Sequence, residues 1–204
     1  MSILGIEDIF SLVKQKINVT MLLMKILDFA KTVGKLKRVK RTGWVVQNIP
    51  EPESVAEHSF RTAVLAMVLA DKAGVDKDKV TKMALIHDVG EALIGDILTH
   101  KGRQALPILP VKKRKEMQAI KQIFSIINGE EYIKLFQEFE AMKTKEAQFV
   151  KQIDRLEFAI QTWEYEKQHI ITFPAYYSQW PEEMVKEPSL KTILNEISRL
   201  RKKK

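Results

Sequence analysis

Residues 54–74 read SVAEHSFRTAVLAMVLADKAG, and this stretch predicts one long helix. Ser54 and Glu57 have the three-residue spacing of a capping box, in which two side chains bond free backbone N–H groups at a helix N-terminus. Gly74 is typical of a helix end, because glycine adopts the left-handed conformation without steric cost. We therefore predict a helix that runs to about Ala73.

Helical apolar spacing continues over most of the chain and predicts further helices at 6–17, 19–30, 79–89, 112–128, 130–142, 145–168 and 189–201. Two stretches break this pattern. The basic segment 36–52 predicts a long loop, and 172–188, which is rich in proline and aromatic residues, predicts a packed surface loop. Strong strand alternation and internal repeats are absent from the sequence, so the predicted fold class is all-α.

The composition is that of a soluble globular protein. The chain has 204 residues, of which 45% are hydrophobic and 29% are charged, and this suits one domain with helical additions. It contains no cysteine, which excludes a disulfide framework, a cysteine-ligated zinc site, an iron–sulfur cluster and a thiol nucleophile. Because the N-terminus also lacks the pattern of a signal peptide, we expect a cytoplasmic protein.

The formal net charge of +8 favours anionic partners such as phosphates, nucleic acid or a membrane surface. Much of the excess lies at 112–115 and in the tail 199–204, which we interpret as a solvated helix surface and a frayed terminus. A nucleic-acid-binding arm is a weaker interpretation, since aromatic residues are not interleaved with these charges. The longest apolar run, 63–70, is far shorter than the ~20 residues that cross a bilayer.

Four polar residues occupy positions where apolar ones are expected. His58 lies in the first turn of the helix that follows Ser54, and His87 and Asp88 end an apolar stripe. Asp154 lies on the most apolar face of its predicted helix, where an unpaired carboxylate is costly unless a cation neutralises it. Two imidazoles and two carboxylates suit Mn²⁺, Co²⁺, Fe²⁺, Zn²⁺ or Ni²⁺ better than Ca²⁺. Such a site keeps positions open for water and a phosphate oxygen.

Simpler interpretations stay open for each residue alone. A single histidine is also explained as a hydrogen-bonded core residue. Asp154 is also explained by a buried salt bridge to Arg155 or Arg61.

The series His58, His87-Asp88 and Asp154 matches the H…HD…D signature of the HD-domain metal-dependent phosphohydrolases, which the chain resembles. The neighbouring residues are similar to those of the YfbR-like 5′-deoxynucleotidases, above all their HD domain-containing protein 2 branch. The resemblance covers about residues 20–168 and rests on four stretches: Arg41-Thr-Gly-Trp44, Pro52-Glu-Ser-Val-Ala-Glu-His58, Ile86-His-Asp-Val-Gly-Glu91-Ala-Leu-Ile-Gly-Asp96 and Phe149-Val-Lys-Gln-Ile-Asp154.

This resemblance implies an HD-domain helical bundle with extra N- and C-terminal helices. We expect one HD domain over 1–204, comprising a motif-bearing core at about 20–168, an N-terminal helix at 1–18 and a C-terminal helical extension at 169–204. The implied activity is the removal of the 5′-phosphate from 2′-deoxynucleoside 5′-monophosphates.

The resemblance also implies a ligand set for one divalent metal ion, namely His58, His87, Asp88 and Asp154. The expected ion is Co²⁺, Mn²⁺ or a similar ion, and Mg²⁺, Zn²⁺, Ni²⁺ and Fe²⁺ are also compatible with these ligands.

Glu91 and Asp96 match the two further acids of the family. Glu91 is implied to be the general acid or base, and a helix that continues from His87 would bring it beside the metal. Gly90 in this turn could alter that geometry. Asp96 is implied to be a second catalytic acid that contacts the substrate sugar or solvent near the metal, and a carboxylate there can accept a hydrogen bond from a 3′-hydroxyl. Without the motif, Glu91 would be an exposed helix end and Asp96 an N-cap.

Arg41 matches the family's phosphate-binding arginine, and Trp44 resembles the aromatic residue that shapes the sugar pocket. A guanidinium fork suits a phosphate dianion in both geometry and charge. The spacing here is Arg-Thr-Gly-Trp, whereas Arg is followed directly by Trp in the bacterial enzymes, so the role of Trp44 in sugar discrimination is open. Arg38 and Lys40 are also near enough to bind phosphate, and Arg41 or Trp44 could be an ordinary surface or core residue.

A nucleotide substrate and a homodimer are the implied partners. The dimer contact could lie on the apolar face 19–29 or on the aromatic segment 173–180. His100 and His169 have no place in the motif, so we expect a single metal ion. The alternatives are an HD phosphohydrolase for a nucleoside triphosphate, an alarmone or a cyclic nucleotide, and a basic nucleic-acid-binding protein with a vestigial metal site.

Overall fold

The computed structural model describes residues 6–98, 100–101, 104–105, 108–169 and 171–201. Within these ranges the α-helices are α1 (Ile6–Gly34), α2 (Thr42–Val45), α3 (Val55–Ala73), α4 (Lys77–Ile86), α5 (Glu91–Ile94), α6 (Leu109–Ser125), α7 (Glu130–Ala141), α8 (Lys145–His169), α9 (Tyr176–Met184) and α10 (Pro188–Arg201). A 3₁₀ helix, Lys35–Arg38, follows α1. Two short strands, β1 (His100–Lys101) and β2 (Gln104–Ala105), pair antiparallel. The all-α fold class is confirmed, and the small hairpin was not predicted.

Helix α3 has the boundaries that the sequence predicts. The Ser54 side chain accepts a hydrogen bond from the backbone N–H of Glu57, and the Glu57 carboxylate accepts one from the backbone N–H of Ser54. Gly74 ends the helix in the left-handed conformation, at φ 63°. The capping box fixes the first turn of α3, and His58 lies in this turn.

The main core lies where α3, α4, α7, α8 and α10 pack together. Small side chains on α3, including Ala66 and Ala70, are fully buried and let α4 and α8 approach closely. The neighbouring helices contribute larger side chains that are also fully buried: Val80, Met83, Val150, Ile153, Leu156 and Leu190. This packing holds the ends of three helices that carry candidate site residues.

The N-terminal region contains one helix where the sequence predicted two. Helix α1 is continuous over 29 residues, because Asn18 between the two predicted helices is a weak helix former but not a breaker. Residues 1–5 of the predicted N-terminal helix lie outside the described residues. Near its C-terminal end, Phe29 and Val33 pack on the cluster around Phe124. Farther upstream the helix exposes a run of apolar side chains: Val19, Met21, Leu22, Leu23, Met24, Ile26 and Leu27.

The helix predicted at 79–89 ends before Glu91. Helix α4 ends at Ile86, and a turn over 87–90 leads into the short helix α5. A Cβ atom on Gly90 would lie 3.3 Å from the carbonyl oxygen of Glu116 in α6, so glycine permits this close approach. The helix predicted at 79–89 therefore ends three residues early, and Glu91 lies on a separate short helix instead of a continuation of α4.

The segment predicted as a surface loop at 172–188 contains helix α9. Tyr177 on this helix is buried against Trp44 and Phe158, and its hydroxyl donates a hydrogen bond to the carbonyl oxygen of Gly43 at 3.1 Å. Tertiary packing thus stabilises a helix where proline and aromatic composition favoured a loop. The predicted loop at 36–52 likewise contains the 3₁₀ helix and α2.

The basic C-terminus is attached to the domain over its described part. Nε and Nη2 of Arg201 donate hydrogen bonds to the two carboxylate oxygens of Glu166, at 2.7 Å each. The interpretation of a frayed terminus is wrong for Arg201, while residues 202–204 lie outside the described ones. None of the described helices is both long enough and apolar enough to span a membrane.

Candidate metal centre and active site

The four predicted metal ligands lie close together, although they come from three parts of the chain. Nε2 of His58, in the first turn of α3, is 3.4 Å from Oδ1 of Asp154 on α8 and 3.7 Å from Oδ2 of Asp88. Nε2 of His87, just after α4, is 3.2 Å from the same Asp88 oxygen. One ligand atom each from His58, His87 and Asp88 falls within a 4.8 Å span.

Hydrogen bonds at the far side of each imidazole orient the rings. Nδ1 of His87 is 2.7 Å from the carbonyl oxygen of Ala84, so this nitrogen carries the proton and donates it. Nδ1 of His58 is 2.6 Å from the buried carboxylate of Glu157. Both arrangements are typical of metal-binding histidines, whose second nitrogen is fixed by a carboxylate or a backbone carbonyl.

The residues fit a bound cation. Nε2 of His58 and Nε2 of His87 are buried and make no hydrogen bond to any residue that the structure describes. A buried nitrogen without a partner is costly, and a metal ion removes that cost. With Asp88 and Asp154 at the same place, the donor set is two imidazoles and two carboxylates, which suits a first-row divalent ion.

The negative charges around His58 favour a cation at this place, either a proton on the ring or a metal ion. Burial and Arg41 oppose protonation of the ring, but Glu157 and Asp154 outweigh them and raise the pKa of His58 to about 10. Burial would raise the pKa of Asp154, yet Arg155 and Lys151 hold it well below the usual range. Asp154 therefore stays ionised, with Oδ2 3.0 Å from Lys151 Nζ and Oδ1 directed at His58.

Glu91 is almost fully buried at the start of α5, with 1% of its surface exposed. Its Oε1 accepts a hydrogen bond from Lys112 Nζ at 3.0 Å, while Oε2 has no hydrogen-bond partner among the described residues. Burial and the nearby Asp88 raise the pKa of Glu91 well above its usual value. The interpretation of Glu91 as an exposed helix end is thus wrong, even though the helix is interrupted at Gly90.

Arg41 is the basic residue of its segment that reaches the metal centre. Its NH1 group lies 3.1 Å from Oδ2 of Asp88. Lys40 donates instead to the carbonyl oxygen of Pro52 at 2.7 Å, and Arg38 is exposed on the 3₁₀ helix. Of the three basic residues Arg38, Lys40 and Arg41, only Arg41 lines the cavity next to Asp88 and Asp154.

Asp96 and Trp44 lie in the same wall but make structural contacts. One oxygen of the Asp96 carboxylate accepts a hydrogen bond from the backbone N–H of Thr42 at 2.6 Å, so Asp96 caps the N-terminus of α2. Trp44 is buried, with 1% exposure, stacks on Phe158 at 4.9 Å, and donates its indole N–H to Glu53 at 2.9 Å. Roles for Asp96 and Trp44 in sugar binding stay predictions.

The basic cluster 112–115 divides between two environments. Lys112 is largely buried, with 14% of its side chain exposed, and it binds both Glu91 and Glu116. Lys113 is 53% exposed and pairs with Glu140 on α7. The interpretation as solvated surface is therefore wrong for Lys112, because a helix start that faces a cavity cannot be distinguished in sequence from one that faces solvent.

His169 lies at the end of α8 beside Tyr165, at 5.8 Å between ring centroids, and does not line the cavity. The side chain of His100 lies outside the described residues. Other cavity residues that the sequence did not single out for the site are Lys151, Arg155, Tyr176 and Trp180.

Asp88 and Asp154 line a cavity of about 430 Å³, which is large enough for a small ligand. Its polar lining includes Arg41, Asp88, Glu91, Asp96, Lys112, Lys151, Asp154 and Arg155. Anionic and cationic side chains are thus both present, a combination that can hold a metal ion and a phosphate together.

Comparison with known proteins identifies the domain. The family model described as the HD domain matches residues 33–194. The chain belongs to the HD-domain family. This HD-domain protein is also 42% identical over 144 residues to human 5′-deoxynucleotidase HDDC2, an alignment that covers 69% of this chain and 68% of the human one. The family predicted from the motif residues is therefore confirmed.

Solved structures of similar proteins share the fold of this HD-domain protein. The PH0347 protein of Pyrococcus horikoshii is 31% identical, with a TM-score of 0.71, and the match covers 85% of this chain and 99% of that one. A predicted metal-dependent phosphohydrolase of Magnetospirillum magnetotacticum is 27% identical, with a TM-score of 0.64, and the match covers 88% and 96% of the two chains.

Proposed function

We propose that this HD-domain protein is a metal-dependent 5′-deoxynucleotidase that hydrolyses 2′-deoxynucleoside 5′-monophosphates to deoxynucleosides and inorganic phosphate. The observation that carries the proposal is the convergence of two ionised carboxylates with two imidazole nitrogens that have no hydrogen-bond partner among the described residues, beside a cavity that Arg41 and Lys112 also line. The 42% identity to a human protein named 5′-deoxynucleotidase supports the choice of substrate.

His58, His87, Asp88 and Asp154 would hold one divalent ion in this proposal. Co²⁺ or Mn²⁺ is the proposed type of ion, and Mg²⁺, Zn²⁺, Ni²⁺ and Fe²⁺ fit the same donors. When bound, the ion lowers the pKa of a coordinated water and withdraws charge from the phosphate.

Arg41 would bind the substrate phosphate. Its guanidinium group already lies 3.1 Å from a carboxylate oxygen of Asp88, so it can donate to a phosphate oxygen beside that residue. Lys112 and Lys151 line the same cavity and add positive charge. These groups would offset the charge on the phosphate oxygens, which is the main requirement for catalysis of phosphoryl transfer.

Glu91 would handle the proton. In hydrolysis a water oxygen bonds to phosphorus, the bond between phosphorus and the 5′-oxygen breaks, and the 5′-oxygen leaves as a hydroxyl. Oε2 of Glu91 has no hydrogen-bond partner in the described part of the chain and would take the proton of the attacking water, while Lys112 holds Oε1. The same acid can return a proton to the leaving 5′-oxygen, so the reaction balances without another reactant.

Asp96 and Trp44 would position the deoxyribose. One oxygen of Asp96 binds Thr42, and its other oxygen would accept a hydrogen bond from the 3′-hydroxyl. Trp44 is fixed by its stacking on Phe158 and would form a rigid wall beside the sugar. Selectivity for deoxyribose over ribose would then arise from shape rather than from a charged contact.

A substrate panel tests the proposed function. Purified protein with Co²⁺ or Mn²⁺ should release phosphate from dAMP and dTMP but not from AMP, and Asp154→Ala should abolish the release. Release of phosphate or pyrophosphate from a nucleoside triphosphate or an alarmone alone, or ring opening of a cyclic nucleotide to a nucleoside monophosphate, would instead assign another HD phosphohydrolase activity. Tight, steeply salt-dependent binding to nucleic acid without any hydrolysis would contradict an enzyme altogether.

The proposal also includes a homodimer and a cytoplasmic location. Val19, Leu22, Leu23 and Ile26 of α1 are exposed and lie on one side of the helix, and an apolar face of this kind marks a protein contact when it is not covered within the chain. A second copy of this chain is the proposed occupant of that face. The absence of cysteine agrees with a reducing compartment.

A further inference from the structure

The cavity has an aromatic part in addition to its charged part. The aromatic residues that line it are Trp44, Phe158, Tyr176, Tyr177 and Trp180. A phosphate and a metal ion need only the charged groups, so the aromatic part is available to another portion of the ligand.

The aromatic residues differ in how much surface they present. Trp44, Phe158 and Tyr177 are buried and stack on one another in the core. Tyr176 and Trp180 are only partly buried. They stand four residues apart on α9, and this spacing places both side chains on the same side of the helix.

The Trp180 ring is held in a fixed orientation. The guanidinium carbon of Arg155 lies 4.1 Å from the Trp180 ring centroid, within the range of a cation–π interaction. Phe158 meets the same ring edge-on, with centroids 6.2 Å apart and an interplanar angle of 70°. Arg155 directly follows Asp154 in α8, so this stack is joined to the metal centre through adjacent residues.

We propose that Tyr176 and Trp180 form the nucleobase subsite of this enzyme. This inference rests on the proposed function and specifies how the ligand is held. A nucleobase is a planar heteroaromatic ring that binds by stacking, and such stacking tolerates all bases because each has a π-face. Trp180, immobilised by Arg155 and Phe158, would stack on the base with little loss of entropy. Tyr176 would contact the base from the same helix.

The test compares a substrate with a base and one without it. Trp180→Ala should raise KM for dAMP about 10-fold or more, from the loss of base stacking, while kcat changes little. The same variant should leave KM for 2-deoxyribose 5-phosphate unchanged, because this compound has the sugar and phosphate but no base. Trp180→Phe keeps an aromatic ring and should restore most of the affinity for dAMP. Trp163→Phe, a tryptophan substitution on α8 away from the cavity, should change neither constant.

Two outcomes would overturn the subsite. Equal losses with both substrates would show that Trp180 supports the metal centre or the fold instead of the base, and an unchanged KM for dAMP in both Trp180→Ala and Tyr176→Ala would show that neither ring contacts the base. Binding of deoxyadenosine, measured by calorimetry, separates this inference from the proposed function. A wild-type protein that hydrolyses neither substrate, but binds deoxyadenosine in a Trp180-dependent manner, would retain the base subsite and lose the hydrolase.

Discussion

Nδ1 of His58 lies 2.6 Å from Oε2 of Glu157, and both side chains are completely buried. The second oxygen of Glu157 binds Arg61 at 2.7 Å, so the carboxylate is fixed from two sides. Glu157 therefore determines which nitrogen of His58 carries a proton and where Nε2 points. Glu157 is three residues beyond Asp154 on α8. One helix thus supplies both the candidate ligand Asp154 and the group that orients the ligand His58.

Replacement of Glu157 tests this orienting role. Glu157→Gln keeps a hydrogen-bond acceptor but removes the charge, and we expect divalent metal to bind about 10- to 100-fold more weakly. Titration calorimetry with Mn²⁺ measures this directly. Glu164→Gln is a matched control, because Glu164 also binds Arg61 but lies at the surface. Unchanged metal affinity in Glu157→Gln would contradict the role.

Arg41 offers a test of phosphate recognition. Arg41→Lys keeps the positive charge but loses the planar fork, so kcat/KM for dAMP should fall by about 10- to 100-fold. Arg38→Lys, on the exposed 3₁₀ helix, should have wild-type kinetics. Because Arg41 also contacts Asp88, metal content is measured for each variant. A comparable loss of kcat/KM in Arg41→Lys and Arg38→Lys would refute a specific role for Arg41.

Glu116 should make stability depend on pH. Burial raises its pKa above the usual value, and Lys112 at 3.2 Å offsets only part of this effect. A carboxyl with a raised pKa in the folded chain favours folding while protonated, and this contribution is lost as pH rises through the raised pKa. The free energy of unfolding of Glu116→Gln, relative to wild type, should therefore increase between about pH 4 and pH 8. Denaturant titrations at both pH values measure it, and a difference that stays constant or decreases would contradict the expectation.

The exposed face of α1 should determine the oligomeric state. Leu23 is 60% exposed, and Leu23→Glu places a charge within the apolar run. Light scattering should show a dimer for wild type and a monomer for this variant. Lys25→Glu makes a charge change on the same helix without removing an apolar side chain. A monomeric wild type, or a dimer that survives Leu23→Glu, would assign the α1 face to something other than self-association.

Local signals in the sequence predicted some parts of this structure well. The bounds of α3 follow from Ser54, Glu57 and Gly74, each of which acts on its immediate neighbours. The grouping of His58, His87 and Asp154 was also predictable, because polar residues of metal-binding type on apolar helix faces need a common partner.

Other features depend on contacts between distant segments and left no local signal. Helix α9 forms because Tyr177 packs on Phe158, while its composition favoured a loop. The turn before Glu91 depends on the approach of α6 to Gly90. Lys112 and Lys113 are adjacent and chemically identical, yet only Lys112 faces the cavity. Sequence pattern alone does not distinguish these cases.

The proposed activity depends on one divalent ion held by His58, His87, Asp88 and Asp154. Titration of metal-free protein with Mn²⁺ or Co²⁺, followed by calorimetry, measures this most directly. We predict one ion per chain for wild type, and loss of both the ion and phosphate release from dAMP in Asp154→Asn. A wild-type protein that binds no divalent ion, or an Asp154→Asn variant that binds it with full affinity, would contradict the account.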